Sequence, residues 1–345
     1  MGEPVAQNLF AGLDIGSHTT RLLIAEKSGH QLVPIRSERR VTRLAEGFQR
    51  DGAITEEAQR RNTLALKEYA SLLRHFRVDK VSCGATGVVR RAVNSDRVLA
   101  RIAAETGLQC AVLSEDREAA LSAKGILSAI NPGGKAVLMF DVGGGSTEFV
   151  LPGADNHLAC ASRPVGAATL SEAFLSGDPP GLEAVHRAAA RARGQIDSAR
   201  EELYENLRKT DTIICFSGLS LAGTAGTVTT LAAMKLEMKR YVPYLVNGTL
   251  LSLDWLFRAI ESLAAMVLAE RRMIVGIEAG REDIILGGAV IVSQILSSFG
   301  SDSFIVSDAG LLEGMVIELA QSESGLPVGP AAGPTTDLTW RRLKR

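Results

Sequence analysis

The sequence predicts an α/β protein of two domains, each built on the same β-β-β-α-β-α core and facing a central cleft. Three observations carry this. Apolar runs of strand length alternate with longer stretches of helical period. The order of elements in residues 1–130 recurs in residues 131–321. Each copy opens with an apolar run that ends in aspartate and a turn of glycine and hydroxyl residues: "LDIGSHTT" at 13–20 and "MFDVGGGSTEFV" at 139–150. Self-similarity on this scale marks an internal repeat.

The elements follow in order. "LFAGLDIG", "RLLIAE" and "QLVPIRSERRVTRL" carry three strands over about 9–42. A helix is expected at 55–76, capped by Thr55, with Glu56 and Glu57 in its first turn and Ala65, Tyr69, Leu72, Leu73 and Phe76 on one apolar face. A strand ("KVSCGAT"), a helix capped by Ser95 and closed near Gly107, a strand ("QCAVLS") and a helix at 116–130 complete the first copy. In the second, "KAVLMFDVG", "TEFVLP" and "LACASRPVG" are strands and 181–207 is a long helix. Then come the strand "TIICFS", a Gly/Thr loop ("LAGTAGTVTTLAA", 221–233) running into a helix, helices over 250–299, the strand "SFIVSD" and a last helix at 309–320. Whether that helix packs on the first domain is left open. The tail 322–345, rich in Pro and Gly and without a period, is expected to be disordered.

Net charge over 345 residues is −1, so the whole molecule has no general attraction for nucleic acid or membrane. Residues 1–101 hold 17 Lys and Arg against 11 Asp and Glu, net +6, which suits an anionic partner or reflects ordinary surface scatter. Cys83, Cys110, Cys160 and Cys215 form no C-x-x-C pair and lie in apolar runs. They read as buried free thiols of a cytoplasmic protein, with neither disulfide nor zinc framework. No apolar run is long enough to span a membrane and no signal peptide is expected at the N-terminus.

The loops carry the chemistry. Glycines at a strand end let backbone N–H groups approach an anion, and hydroxyls add donors. An acid in the same turn repels phosphate unless a divalent cation lies between them, and hard cations are held by one or two carboxylates together with phosphate oxygens. Asp141 and Glu148 therefore read as acids for Mg²⁺ or another divalent cation, around a phosphate cradle of Gly143, Gly144, Gly145, Ser146 and Thr147. Asp14, Gly16 and Ser17 form the matching loop of the first copy. Gly223, Thr224, Gly226 and Thr227 would present donors at a helix N-terminus. The plainer alternative is a set of tight turns and a helix entry; two matched loops in a duplicated frame argue against it.

These three loops, their order, and "RRVTRLAEG" (39–47), "ATGVVRRAVN" (85–94) and "VSDAGLLEGM" (306–315) resemble the exopolyphosphatase and guanosine pentaphosphate phosphohydrolase family, of the actin-like, ribonuclease H-like superfamily. The resemblance covers about residues 9–320. It implies hydrolysis of a terminal phosphoanhydride bond of polyphosphate or of guanosine pentaphosphate, with guanosine tetraphosphate as the product of the latter. A homodimer stays open. The stretch "SEDREAAL" (114–121) puts Glu118 at the family's catalytic glutamate, where it would take a proton from the attacking water. Without the resemblance, Glu118 reads as a first-turn acid favoured by the helix dipole. Arg90 corresponds to the substrate-binding arginine, able to clamp a phosphate oxygen; Arg91 reads as its surface neighbour. Arg40 and Arg43 either line the cleft or lie on a solvated strand face. The chain departs from the family's pattern at Arg117 (usually an acid), Ala120 and Leu312 (usually Arg) and His18 (usually Asn). Two other readings remain: an actin-like kinase, and a guanosine tetra- or pentaphosphate sensor with little turnover.

Overall fold

Residues 8–78, 80–130, 136–153, 158–209, 218–322 and 338–340 are described by a computed structural model. The chain divides into unit 1 (residues 1–128 and 311–345) and unit 2 (residues 129–310). The last helix, whose packing the sequence leaves open, thus belongs with the first.

Unit 1 begins with an antiparallel meander: β1 (Leu9–Ile15), β2 (Thr19–Ser28) and β3 (Gln31–Val41). After a one-turn α1 (Phe48–Asp51), α2 (Glu56–Phe76) crosses over to β4 (Lys80–Ala85), which lies parallel to β1. The short α3 (Val88–Arg91) and α4 (Ser95–Thr106) lead to β5 (Ala111–Val112), parallel to β4, and then to α5 (Glu115–Ala129). Helical crossovers are what parallel neighbours require. Every residue of β1 is buried, as expected for a strand covered on both faces. Leu9, Ala11, Leu13 and Ile15 pack in one cluster with Leu66, Tyr69 and Leu73 of α2. Phe10, on the other face, packs with residues of the C-terminal helix.

Local chemistry sets the helix ends. Thr55 Oγ1 accepts from Ala58 N, capping α2 as its sequence indicates. Ser95 does not cap α4: Asn94 is the capping residue, and its side chain bridges Ile54 N and O instead. Gly107, at φ 77°, closes that helix.

Unit 2 repeats the plan. The meander β6 (Val137–Val142), β7 (Thr147–Pro152) and β8 (Leu158–Arg163) is followed by α6 (Ala167–Phe174) and α7 (Leu182–Arg208). Then come β9 (Ser220–Thr224), parallel to β6, and α8 (Ala225–Lys235). α9 (Pro243–Val246), β10 (Leu250–Ser252), α10 (Leu253–Ala265), α11 (Leu268–Arg271) and α12 (Ile285–Ser298) follow, and β11 (Ser303–Val306) pairs parallel with β9. The sheet order is β10-β11-β9-β6-β7-β8. α12 is apolar on all sides and almost wholly buried, the mark of a core helix.

The duplication holds at the level of single bonds. Gly16 N donates to Thr19 O at 3.0 Å, and Gly143 N to Ser146 O at 3.0 Å. Asp14 aligns with Gly84 across β1–β4, and Asp141 with Thr224 across β6–β9.

Several expectations are corrected. Cys83 and Cys110 form a disulfide, because the parallel register of β4 and β5 brings these two positions side by side. Cys160 is partly buried with its Sγ 3.9 Å from Leu158 O, and Cys215 lies outside the described residues. So does the expected strand at 212–217, whereas Gly223 and Thr224, read as loop, lie in β9. Residues 250–252, read as helical, form strand β10. Unit 1 is completed by α13 (Leu311–Ser322) and β12 (Thr339–Trp340). β12 pairs parallel with β3, so this part of the tail is ordered on the sheet edge. No helix among the described residues is long and apolar enough to cross a membrane.

Candidate active site

In unit 1, Asp14 is the penultimate residue of β1 and is 4% exposed. Its Oδ2 accepts from Arg21 Nε and Nη2 at 3.1 and 2.8 Å, while Oδ1 is buried with no hydrogen-bond partner. A buried, half-satisfied carboxylate needs a further donor or cation. Arg21 went unnoticed in the sequence, although the hairpin register pairs it directly with Asp14.

The turn after β1 is braced internally. The Gly16 amide is engaged by Thr19, and Ser17 Oγ accepts from Val88 N at 3.0 Å. Gly87 sits at φ 49°, and a Cβ there would lie 2.5 Å from Ser17 Oγ, so only glycine fits this approach. Gly16 and Ser17 therefore fix the turn that leads to Arg90, where the sequence suggested phosphate donors. His18 is exposed, and its carbonyl accepts from Thr42 N and Arg43 N.

That turn delivers Arg90 to Glu118. Arg90 Nη1 donates to Glu118 Oε2 at 2.8 Å and to Leu113 O at 2.9 Å, and Nη2 lies 3.4 Å from Glu115 Oε1. Burial pushes the Glu118 carboxyl above its ordinary value. Arg90 opposes that shift, and the charges of Asp14 and Glu115 add to it. The two residues expected to be catalytic are thus brought together. The neighbouring Arg117 is paired with Glu318 of α13. Leu312 is buried in the apolar cluster beneath β1, which accounts for an aliphatic side chain there. Nothing in the structure explains Ala120. Arg40 pairs with Glu38 and Glu68 on an exposed face.

In unit 2, Asp141 and Glu148 are direct cross-strand partners on β6 and β7, which places both carboxylates on one face. Ser162 Oγ approaches Glu148 Oε1 at 3.4 Å. Gly144 and Gly145 are exposed. The loop carbonyls turn inward: Gly143 O accepts from Ala167 N, and Gly144 O from Ala168 N and Thr169 N. The first amides of α6 are therefore occupied by the loop itself. Thr147 is fully buried and its hydroxyl donates to Val165 O at 2.6 Å; it braces the loop and is no phosphate donor. Ser146 closes the turn through its carbonyl to Gly143 N.

The third stretch is likewise partly structural. A Cβ on Gly223 would lie 2.6 Å from the Phe140 ring, so this glycine serves aromatic packing. Thr224 Oγ1 donates to Ala309 O at 3.1 Å, and Thr227 is buried against Gly288. Ala225 enters α8 at φ 69°, a costly conformation for a residue with a Cβ. Gly226 lies under the guanidinium of Arg281, which is paired with Glu278 at 2.9 Å. Tyr241 donates to Asp308 nearby, and burial raises its pKa. Arg281 has no local sequence signal; the bare Gly226 that admits it is the trace it leaves.

Among the described residues no group of three or more His, Cys, Asp or Glu forms a ready-made metal cage. The paired carboxylates of Asp141 and Glu148 fit a hard cation that takes its remaining ligands from water and phosphate.

Two α/β units, each opening with an Asp-bearing hairpin over a mixed sheet, define an actin-like two-domain protein. The Ppx/GppA phosphatase family model matches residues 23–323, and the chain belongs to that family. It is 30% identical to exopolyphosphatase 2 of Mycobacterium tuberculosis over 323 residues, 90% of this chain and 98% of that protein. The crystal structure of the Aquifex aeolicus Ppx/GppA family member matches with a TM-score of 0.77 at 29% identity, covering 92% of this chain and 98% of that one. An exopolyphosphatase from Cytophaga hutchinsonii matches with a TM-score of 0.76 at 26% identity, covering 93% and 99%.

Proposed function

We propose that this protein is a divalent-cation-dependent phosphoanhydride hydrolase. It would release orthophosphate from the end of polyphosphate, or convert guanosine pentaphosphate to the tetraphosphate. The observation that carries the reading is Glu118. It is a carboxylate held 2.8 Å from Arg90 Nη1 and pushed up in pKa by burial, in a chain of a phosphatase family. A carboxylate whose pKa is raised is a stronger base toward the attacking water.

In this mechanism Glu118 orients a water and takes its proton. The water oxygen bonds to the terminal phosphorus, and the bridging P–O bond breaks with its electron pair on the shortened chain. Arg90 offsets the charge on the phosphoryl oxygens and holds Glu118 in place. Asp141 and Glu148 would hold Mg²⁺, which supplies charge neutralisation to the phosphate chain when bound. The charge of Asp14 adds to the upward shift of Glu118 and so would help to keep it basic. The sensor reading leans on Arg117 disturbing Glu118, but Arg117 is engaged by Glu318, which favours the hydrolase.

The test is orthophosphate release with Mg²⁺ from short and long polyphosphate and from guanosine pentaphosphate. EDTA should abolish it. Glu118→Gln should lower kcat by about 10²–10⁴, the usual worth of a general base, while substrate still binds. Near-normal turnover in that variant would sink the assignment. Binding without release by the native chain would favour the sensor.

A further inference from the structure

Arg117 and Glu118 are neighbours in the first turn of α5, yet they reach different partners. Glu118 meets Arg90, whereas Arg117 Nη2 donates to Glu318 Oε2 on α13. We propose that the Arg117–Glu318 ion pair is a positioning latch: it ties the first turn of α5 to α13 and so holds the Glu118 carboxylate on Arg90. The inference rests on the reading of Glu118 as the general base.

Helical geometry supports it. Consecutive residues of an α-helix are fixed about 100° apart around its axis, so anchoring one of them sets the direction of the other. The anchor is built into a wider contact. Arg117, Leu121 and Lys124 form an i, i+4, i+7 stripe on α5, and Gly314, Glu318 and Gln321 form the same stripe on α13. At one point the helices touch backbone to backbone: a Cβ on Gly314 would lie 1.9 Å from Leu121 O. Alongside, Lys124 is 4% exposed and its Nζ donates to Gln321 Oε1 at 3.2 Å.

An apolar pair would join these helices without removing charges from water. A largely buried ion pair adds little net stability, and its best-attested benefit is fixing one geometry over others. Here the Glu318 side chain is 13% exposed, and its Oε1 is buried with no hydrogen-bond partner. The first turn also needs outside support. Within it, Arg117 N donates to Ser114 Oγ and Glu118 N to Ser114 O. The strand before it, β5, is two exposed residues long. An acid at position 117 would face Glu318 with like charge. Arg117 and Glu318 are thus a matched pair in this chain.

The experiment compares the native protein with Arg117→Glu, Glu318→Arg and the charge-swapped double variant. The readouts are kcat and KM for orthophosphate release, and hydrogen exchange of amides 115–119. Each single variant should lose about tenfold in kcat with KM little changed, because a small misplacement of a catalytic group has effects of that order. The first-turn amides should exchange faster. The swap should restore both readouts to within about threefold, inside the context dependence of such pairs. Should the single variants fail to fold, Glu318→Gln keeps the shape, removes the charge, and should show a smaller kcat loss of the same kind. Unchanged kcat in folded single variants, or a swap that restores stability without kcat, would overturn the latch. If the native chain releases no phosphate, the hydrolase reading falls instead. Amide exchange then decides the latch alone: faster in the single variants and restored in the swap upholds it, and no change overturns it.

Discussion

At the residue scale, Glu118 joins the site to stability. Its carboxyl is raised in pKa by burial, with Arg90 only partly offsetting the shift. The fold therefore favours the neutral acid. The stability this gives is fully present below the ordinary glutamate pKa and is lost as pH rises through the raised value. The neutral isostere Glu118→Gln should accordingly match the native protein near pH 4 and exceed it at pH 8, by about 2 °C in Tm, a typical gain when a strained functional group is relieved. Melting curves across that range check the sign; a variant less stable at pH 8 than at pH 4, relative to native, would refute it. Kinetics must run the opposite way. If Glu118 is the base, kcat/KM climbs as it ionises, with a midpoint above 4.5, the ordinary value. Other residue assignments were only half visible in the chain. Asp14 and its turn could be read, and Arg21 could have been found by counting back across the hairpin. That Thr147 and Thr224 turn their hydroxyls to Val165 and Ala309 depends on backbone carbonyls 18 and 85 residues away, which no local pattern displays.

At the element scale, two helical glycines that look alike in sequence have opposite meanings. Gly314 of α13 is pressed against the Leu121 carbonyl, where a Cβ would come within 1.9 Å, whereas Gly194, at an exposed position of α7, has nothing within 4 Å. Gly314→Ala should destabilise by about 1–3 kcal/mol through overpacking. Gly194→Ala should stabilise by up to about 1 kcal/mol, from helix propensity alone. Urea unfolding of both variants measures this, and equal midpoints would contradict the α5–α13 packing. The same contrast explains which elements could be read in advance. α2 and α7 announce themselves by a one-sided apolar period and end residues of the expected type. Gly223 misled, because it looks like a loop residue; only the Phe140 and Phe304 rings explain its place within β9. β10, three residues long, is set by pairing with β11 and has no period to show.

At the scale of the whole chain, duplication was readable because the two Asp-bearing turns repeat in sequence as well as in hydrogen bonding. Long-range closure was not. The Cys83–Cys110 bridge follows from the alignment of β4 with β5, across a separation of 27 residues that carries no signal of its own. The return of α13 to unit 1 follows from the apolar face it offers Phe10 and Leu23. The clearest miss is β12. Composition makes the tail look disordered, yet Thr339 and Trp340 pair with Gln31 and Leu32, and Leu338 is 4% exposed within the cluster of Phe10, Leu32, Val316 and Ala320. This strand covers a sheet edge, which otherwise presents unpaired backbone groups. Removing residues 323–345 should therefore cost more than a passive tail would. Loss of one fully buried leucine is worth about 1.5–3 kcal/mol, several degrees in Tm for a unit of this size. Leu338→Ala in the full-length chain should reproduce most of that loss while leaving β12 in place. Phosphate release at 25 °C should persist in both, since Leu338 packs with Phe10, Leu32, Val316 and Ala320, and no described contact joins it to Glu118, Arg90 or Asp14. A Tm unchanged to within about 1 °C in the truncated protein, less than the shift from 1 kcal/mol, would show that β12 adds nothing to the fold. A loss of activity with Tm intact would instead give the tail a direct part in the site.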